Sequence, residues 1–324
     1  MVNGRRWALV AIVSLALGAL TGPGPARGQP GETVGMITEM KVGRGKVEVK
    51  TAGAEWRPAA PLNAVRAGDQ VRAVGDATAV VLLTGGRGTV QVDAKNSPYA
   101  VPAALVDERK MQKARTLLSA SLSFLSASTK EAPKALLSTR SAARRPEILT
   151  PRNGPVLPDS LVFEWLGSQF SRYTVRILDP SGVVLERKGV VGARFAYPTD
   201  APPLKPGLRY RFQVEALGHP PYAAWFEVVD PTRAARMHED LEQLEEALGP
   251  GVSPNSRAAM RVGALAADGL LHDARLVALT ALARDPDEPT LHMLLGNLYL
   301  KTGLPELAAE SLDEAQFLLS RGSK

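Results

Sequence analysis

The chain has 324 residues, 45% of them hydrophobic, and a formal net charge of +6. That length exceeds one small core and that apolar content excludes a wholly disordered chain. Cysteine is absent, which excludes disulfides, thiolate metal sites, a cysteine nucleophile and a thiol-linked lipid anchor.

The chain opens with Arg5-Arg6, an apolar run from Trp7 to Leu20, then Gly/Pro residues and Ala26-Arg27-Gly28. This is the layout of a secretory signal, residues 1–28, cleaved near Gly28 to leave Gln29 as the new terminus. The alternative is an uncleaved anchor, but about 14 apolar residues fall short of the roughly 20 that a span needs. Removing residues 1–28 takes away Arg5, Arg6 and Arg27 and no acid, leaving +3. So small a balance predicts no nucleic-acid partner, and no later segment reads as a membrane span. The predicted location is periplasmic or secreted.

Residues 33–101 read as an all-β domain. Lys46-Val47-Glu48-Val49-Lys50 alternates, which predicts valines inward and charges outward. Ala79 to Leu83, then Gly85-Gly86-Arg87-Gly88, then Thr89 to Val92 is a hairpin in outline. Trp56 reads either as a core residue over one end of the sheet or as a sugar-stacking platform. Arg66, Asp69 and Arg72 are expected to form an ion pair that orders their turn. The run Gly68-Asp69-x-Val71-Arg72, an apolar strand, a glycine turn, a second strand and Asn96-Ser97 resembles the FecR domain of bacterial envelopes. Where that family usually has Thr after the Arg, this chain has Ala73.

Residues 102–147 change character. Met111, Ala114, Leu118, Leu122 and Leu125 recur at helical spacing, predicting a helix over 106–125 whose apolar stripe docks on the β domain or on a partner. Ser126 to Glu147 has few bulky residues and reads as a mobile, basic tether.

A second β unit is predicted over 148–229. Leu161-x-Phe163-x-Trp165, Tyr173-x-Val175-x-Ile177 and Tyr210-x-Phe212-x-Val214 alternate as half-buried strands. Leu204-x-Pro206-Gly207-x-x-Tyr210 resembles the tyrosine corner of immunoglobulin and fibronectin type III sandwiches, and Trp165 falls where they keep a core tryptophan. That resemblance implies six or seven strands and a structural role for the Tyr210 hydroxyl.

The last segment, 230–322, reads as a helix followed by two repeats. Gly269, Ala274 and Ala281 recur as Gly303, Ala308 and Ala315, a period of 34 residues. Leu295-Gly296-x-x-Tyr299, Ala308-x-x-x-Leu312 and Ala315 resemble the tetratricopeptide repeat. In that family peptides lie against the first helix of each repeat. The matching positions are Met293, Asn297, Leu300 and Lys301 in the second copy and Ala259, Gly263, Ala266 and Ala267 in the first. Asn297 is then a candidate backbone clamp. The groove either accepts an apolar strip or helix or only packs against the chain's own sandwich.

Catalytic signatures are broken wherever they begin. His238-Glu239-Asp240-Leu241-Glu242 lacks the second histidine of a zinc helix, and Gly85-Gly86-Arg87-Gly88-Thr89 lacks the lysine of a phosphate loop. Histidines 219, 238, 272 and 292 share no metal-ligand spacing. The predicted whole is a multidomain α+β protein with three separate cores: an N-terminal all-β FecR-like domain, a central β-sandwich and C-terminal α-helical repeat hairpins. It is read as non-catalytic and without cofactor or metal, a scaffold for protein or possibly glycan partners in the bacterial envelope. The alternative is an anchored FecR-type signal-transducing regulator. Cleavage near Gln29 belongs to the first reading and an intact Met1 to Leu20 to the second.

Overall fold

A computed structural model describes residues 33–84, 87–102, 116, 120–125 and 146–321. The predicted signal, the tips of the glycine hairpin, most of the predicted 106–125 helix and the tether through 145 lie outside them.

The chain is a mixed α+β protein with its sheets toward the N-terminus and its helices toward the C-terminus. Among the described residues the first unit has eight strands: β1 (Thr33–Lys41), β2 (Lys46–Lys50), β3 (Arg57–Pro58), β4 (Ala64–Arg66), β5 (Gln70–Val74), β6 (Thr78–Leu83), β7 (Thr89–Val92) and β8 (Tyr99–Ala100). They form two four-stranded sheets, ordered β4-β1-β6-β7 and β3-β2-β5-β8. Ile37, Val47, Val49, Val71 and Val81 close the core between them. The β6/β7 hairpin pairs antiparallel as its outline predicts.

The second unit has β9 (Glu147–Thr150), β10 (Gly154–Val156), β11 (Val162–Leu166), β12 (Arg172–Asp179), β13 (Gly182–Val191), β14 (Arg194–Ala196), β15 (Arg209–Ala216) and β16 (Tyr222–Val228). A five-stranded sheet, β10-β16-β15-β12-β13, faces a three-stranded one, β14-β11-β9. Two strands more than the shorter estimate fit because β9, β10 and β14 have only three or four residues each. Phe163 and Trp165 enter the core from one sheet, and Tyr173, Phe212 and Phe226 from the other. The Tyr210 hydroxyl accepts a hydrogen bond from the Lys205 amide at 2.6 Å, so it is used structurally.

Five helices follow: α1 (Pro231–Leu248), α2 (Pro254–Ala267), α3 (Leu271–Leu282), α4 (Pro289–Thr302) and α5 (Pro305–Ser320). Asp230 and Ser253 cap α1 and α2 by accepting from the Arg233 and Ser256 amides, with proline in the first turn of each helix. Gly296 lets α4 and α5 approach: a Cβ there would stand 2.7 Å from Leu312 Cγ. None of these helices is long and apolar enough to cross a membrane.

Three core clusters are present, but the helical one is not built from helices alone. The helical core draws in Met36, Leu62 and Leu82 from the first β unit and Leu157 and Val229 from the second. β1 is buried along both faces, Ile37 turning to its own sheets while Met36 turns to the helices. The described elements belong to one compact unit, with the helices packed against both sheet systems.

Two local expectations also change. Glu48, predicted outward, is 7% exposed because Arg72 and Lys46 close over it at 2.7 and 2.9 Å, which holds its carboxyl below the usual range. Arg72 is thereby spent on Glu48. Asp69 orders its turn by accepting from the Arg66 amide at 2.9 Å instead of pairing with Arg72.

Candidate functional site

The face carrying the predicted groove residues is built from α2 and α4, the first helices of the two hairpins. Met293, Asn297, Leu300 and Lys301 lie at i, i+4, i+7 and i+8 on α4 and so share one side. Met293 and Leu300 are half-buried and pack into the helical core. Asn297 is 2% exposed; its amide donates to the Met293 carbonyl at 2.9 Å, and its buried Oδ1 has no partner among the described residues. Lys301 is the exposed member, with Nζ 5.3 Å from the centroid of the Phe124 ring.

Phe124 belongs to a helical stretch, residues 120–125, that occupies this face. Ser121 and Leu125 are fully buried, and Leu122 joins Leu125 in the helical core. On α2, Gly263 stands 34 residues before Asn297 and so at the equivalent repeat position. A Cβ at Gly263 would come within 3.0 Å of Ser121 Cα, Cβ and O. The absence of a side chain at Gly263 is what lets the segment lie directly on α2. Ser121 therefore lies against α2 and Phe124 against α4. Leu122 and Leu125 of the predicted stripe join a core shared by the helices and by Met36, Leu62 and Leu82 of the first β unit, so the stripe docks within the chain.

This contact yields a prediction. Gly263→Val forces two methyls into the space held by Ser121, and is expected to lift residues 120–125 while leaving α2 helical. Limited proteolysis should then cut beside Leu122 and Leu125 at least tenfold faster than in the parent chain, on the order of 1–2 kcal/mol of lost docking. An unchanged digestion pattern would remove the segment from the groove.

A concavity of about 560 Å³ lies between α1, α2 and α3, rimmed by Arg257, Arg261 and Arg284. Glu245 accepts from Arg257 at 2.6 Å and from Arg261 at 3.2 Å, so two of these three cations are already partnered.

Trp56 carries Arg72 over its ring at 4.1 Å and Lys50 at 5.9 Å, so cations cover the face that the sugar-platform reading needs. The histidines stay apart. His238 sits 3.3 Å from Asp159, His292 Nε2 meets the Pro286 carbonyl at 2.8 Å, and His272 is buried against the Thr150 hydroxyl. Among the described residues no group of three or more His, Cys, Asp or Glu side chains is placed to hold a metal ion.

Polar seams that local sequence patterns do not signal join the helices to both β units. At β1, Thr38 Oγ1 bonds Ser256 Oγ at 2.8 Å, and Glu39 accepts from the Ser253 and Ser256 hydroxyls at the start of α2. Glu288 caps α4: its Oε1 accepts from the Thr290 amide at 3.1 Å and the Met40 amide at 3.4 Å. At the second β unit, Arg275 reaches Glu164 at 2.9 Å, and Asp273 accepts from the Leu157 amide at 3.2 Å. The chain matches no protein-family model and no curated protein.

Proposed function

We propose that this chain is a non-catalytic, exported binding protein of the bacterial envelope, in which the α2/α4 groove receives an apolar helix from a protein partner. The observation that carries the reading is the seating of residues 120–125 across both repeat-equivalent helices, because that segment is a specimen of what the groove accepts. The Leu-Gly-x-x-Tyr run and the 34-residue period support a tetratricopeptide-like identity for the hairpins. The Gly-Asp-x-Val-Arg run supports a FecR-like first unit, and the Tyr210 corner supports a fibronectin III-like second unit. The Sec-type signal before Gln29 supports export.

In this reading the chain's own segment holds the groove until a partner helix replaces it. A tethered segment competes at an effective concentration on the order of 1 mM. Any partner must therefore outbid an internal ligand, and weakening that ligand should open the site. The test is a labelled peptide spanning residues 112–129, added to the parent chain and to a Leu122→Ser, Leu125→Ser variant. Fluorescence anisotropy should show the peptide binding the variant at least tenfold more tightly, by release of the tethered competitor. Equal, undetectable binding to both, with the variant folded by circular dichroism, would reject the groove as a partner site.

A further inference from the structure

One end of the second β unit carries apolar side chains that the described chain leaves bare. Phe170 is 84% exposed, Leu217 99% and Val191 60%. Strand register brings them together. Arg172 pairs with Val191, and Tyr173 pairs with Ala216, so Phe170 precedes one end of β12 by two residues while Leu217 follows β15 by one. These strands are neighbours in the order β15-β12-β13. At about 4.8 Å between strands, the row from Leu217 through Phe170 to Val191 spans roughly 10 Å. Single exposed apolar residues are ordinary, but three tips on adjacent strand ends form a patch. Val183, 58% exposed, lies at the opposite end of the same sheet, where it pairs with Leu178.

The charges around the row have one sign free. The turns Gly167 to Ser171, Gly192 to Ala193 and Leu217 to Pro221 contain no aspartate or glutamate. Arg172 is exposed beside the row and has no acidic partner among the described residues. The neighbouring acids are engaged: Glu215 and Glu186 hold Arg176 at 2.6 and 2.8 Å, and Glu164 holds Arg275. Arg194 and Lys188 pair loosely with Glu164 and Glu186, at 3.6 and 3.9 Å, and keep 68% and 74% of their side chains in water. Bare apolar tips beside an unpaired arginine match the boundary between anionic headgroups and acyl chains. A side chain as unsupported as Leu217 suits a fluid layer that conforms to it better than a protein surface shaped for one rotamer.

We propose that this end of the sandwich docks on an anionic lipid bilayer, with Phe170, Val191 and Leu217 entering the headgroup boundary and Arg172 meeting lipid phosphates. The test uses residues 29–324, which contain every element described above and lack the apolar leader. Co-sedimentation should show binding to vesicles of phosphatidylglycerol and phosphatidylethanolamine that weakens with salt, and far less binding to phosphatidylcholine alone. Phe170→Ser with Leu217→Ser should lower partitioning roughly tenfold or more, with the thermal melt unchanged because both side chains already face water. Arg172→Gln should reduce binding to the anionic vesicles selectively. The proposal fails if the parent chain ignores phosphatidylglycerol vesicles or if the double variant binds them as well as the parent. It fails equally if ultracentrifugation shows a dimer that the double substitution abolishes while vesicle binding is absent, since a second copy would then be what covers the row.

Discussion

Replacing Glu288 by glutamine is expected to stabilise the protein at pH 8 by up to about 3 kcal/mol and to change it little at pH 4. Glu288 is fully buried at the junction of β1 and α4, and its Oε2 has no hydrogen-bond partner among the described residues. Burial raises its pKa to about 7, and the nearby Glu39 carboxylate adds to the rise against the hydrogen bonds from Thr290 and Met40. Lys41 and Asp285 pair with each other at 3.4 Å at this seam, and Asn255 donates to the same Asp285 carboxylate at 2.8 Å.

The direction follows from the raised value. Below the unfolded pKa of about 4.5 both states hold the proton and Glu288 costs nothing in charge. As pH rises from there toward 7 the unfolded chain releases its proton while the folded chain keeps it, so stability falls. Above about 7 both are ionised and the loss is constant. Glutamine keeps an oxygen for the Thr290 and Met40 amides and has no charge to bury. Urea unfolding at pH 4, 6 and 8 should show a falling profile for the parent and a shallower one for Glu288→Gln. Parallel profiles would mean that Glu288 titrates normally and the seam is wet.

The second large effect is expected at the other joint. Glu164→Ala should cost about 3–5 kcal/mol, because it leaves Arg275 buried and uncompensated. Only 8% of the Arg275 side chain is exposed, its Nε has no partner among the described residues, and an arginine does not shed its charge. The Tyr299 ring, 5.8 Å from the guanidinium, offers weak cation–π support. Exposed Arg194 at 3.6 Å from Glu164 adds little. Glu164→Met combined with Arg275→Met should recover most of the loss, since no charge is then stranded. If Glu164→Ala costs under about 1 kcal/mol, the pair is screened by solvent and the joint rests on packing alone.

Much of the strand content was readable because alternation reports which side chains share a face. Val47 and Val49, Phe163 and Trp165, and Tyr210, Phe212 and Val214 all proved to be core residues. The same rule misplaced Glu48, because a neighbouring strand supplied Arg72 to cover it. It also said nothing of β1, where both faces are buried and Thr38, Glu39 and Met36 look outward only until helices more than 200 residues later pack on them. Asn297 and Lys301 could be placed by the 34-residue period. Their occupant could not, because a serine and two leucines in an unremarkable helix carry no sign of which groove they fill. Glu288 gave no warning either: a helix-capping acid has the same local pattern whether water or a β-strand covers it.

The double-sided burial of β1 bears on how this chain could be cut or borrowed. A fragment ending near residue 102 would present Met36, Leu62 and Leu82 to solvent as a greasy scar, so the N-terminal sheets are poorly suited to transplantation and would be expected to clump when expressed alone. Recombination that shuffles such a unit into a new protein must bring along a helical cover or repaint that surface with polar side chains.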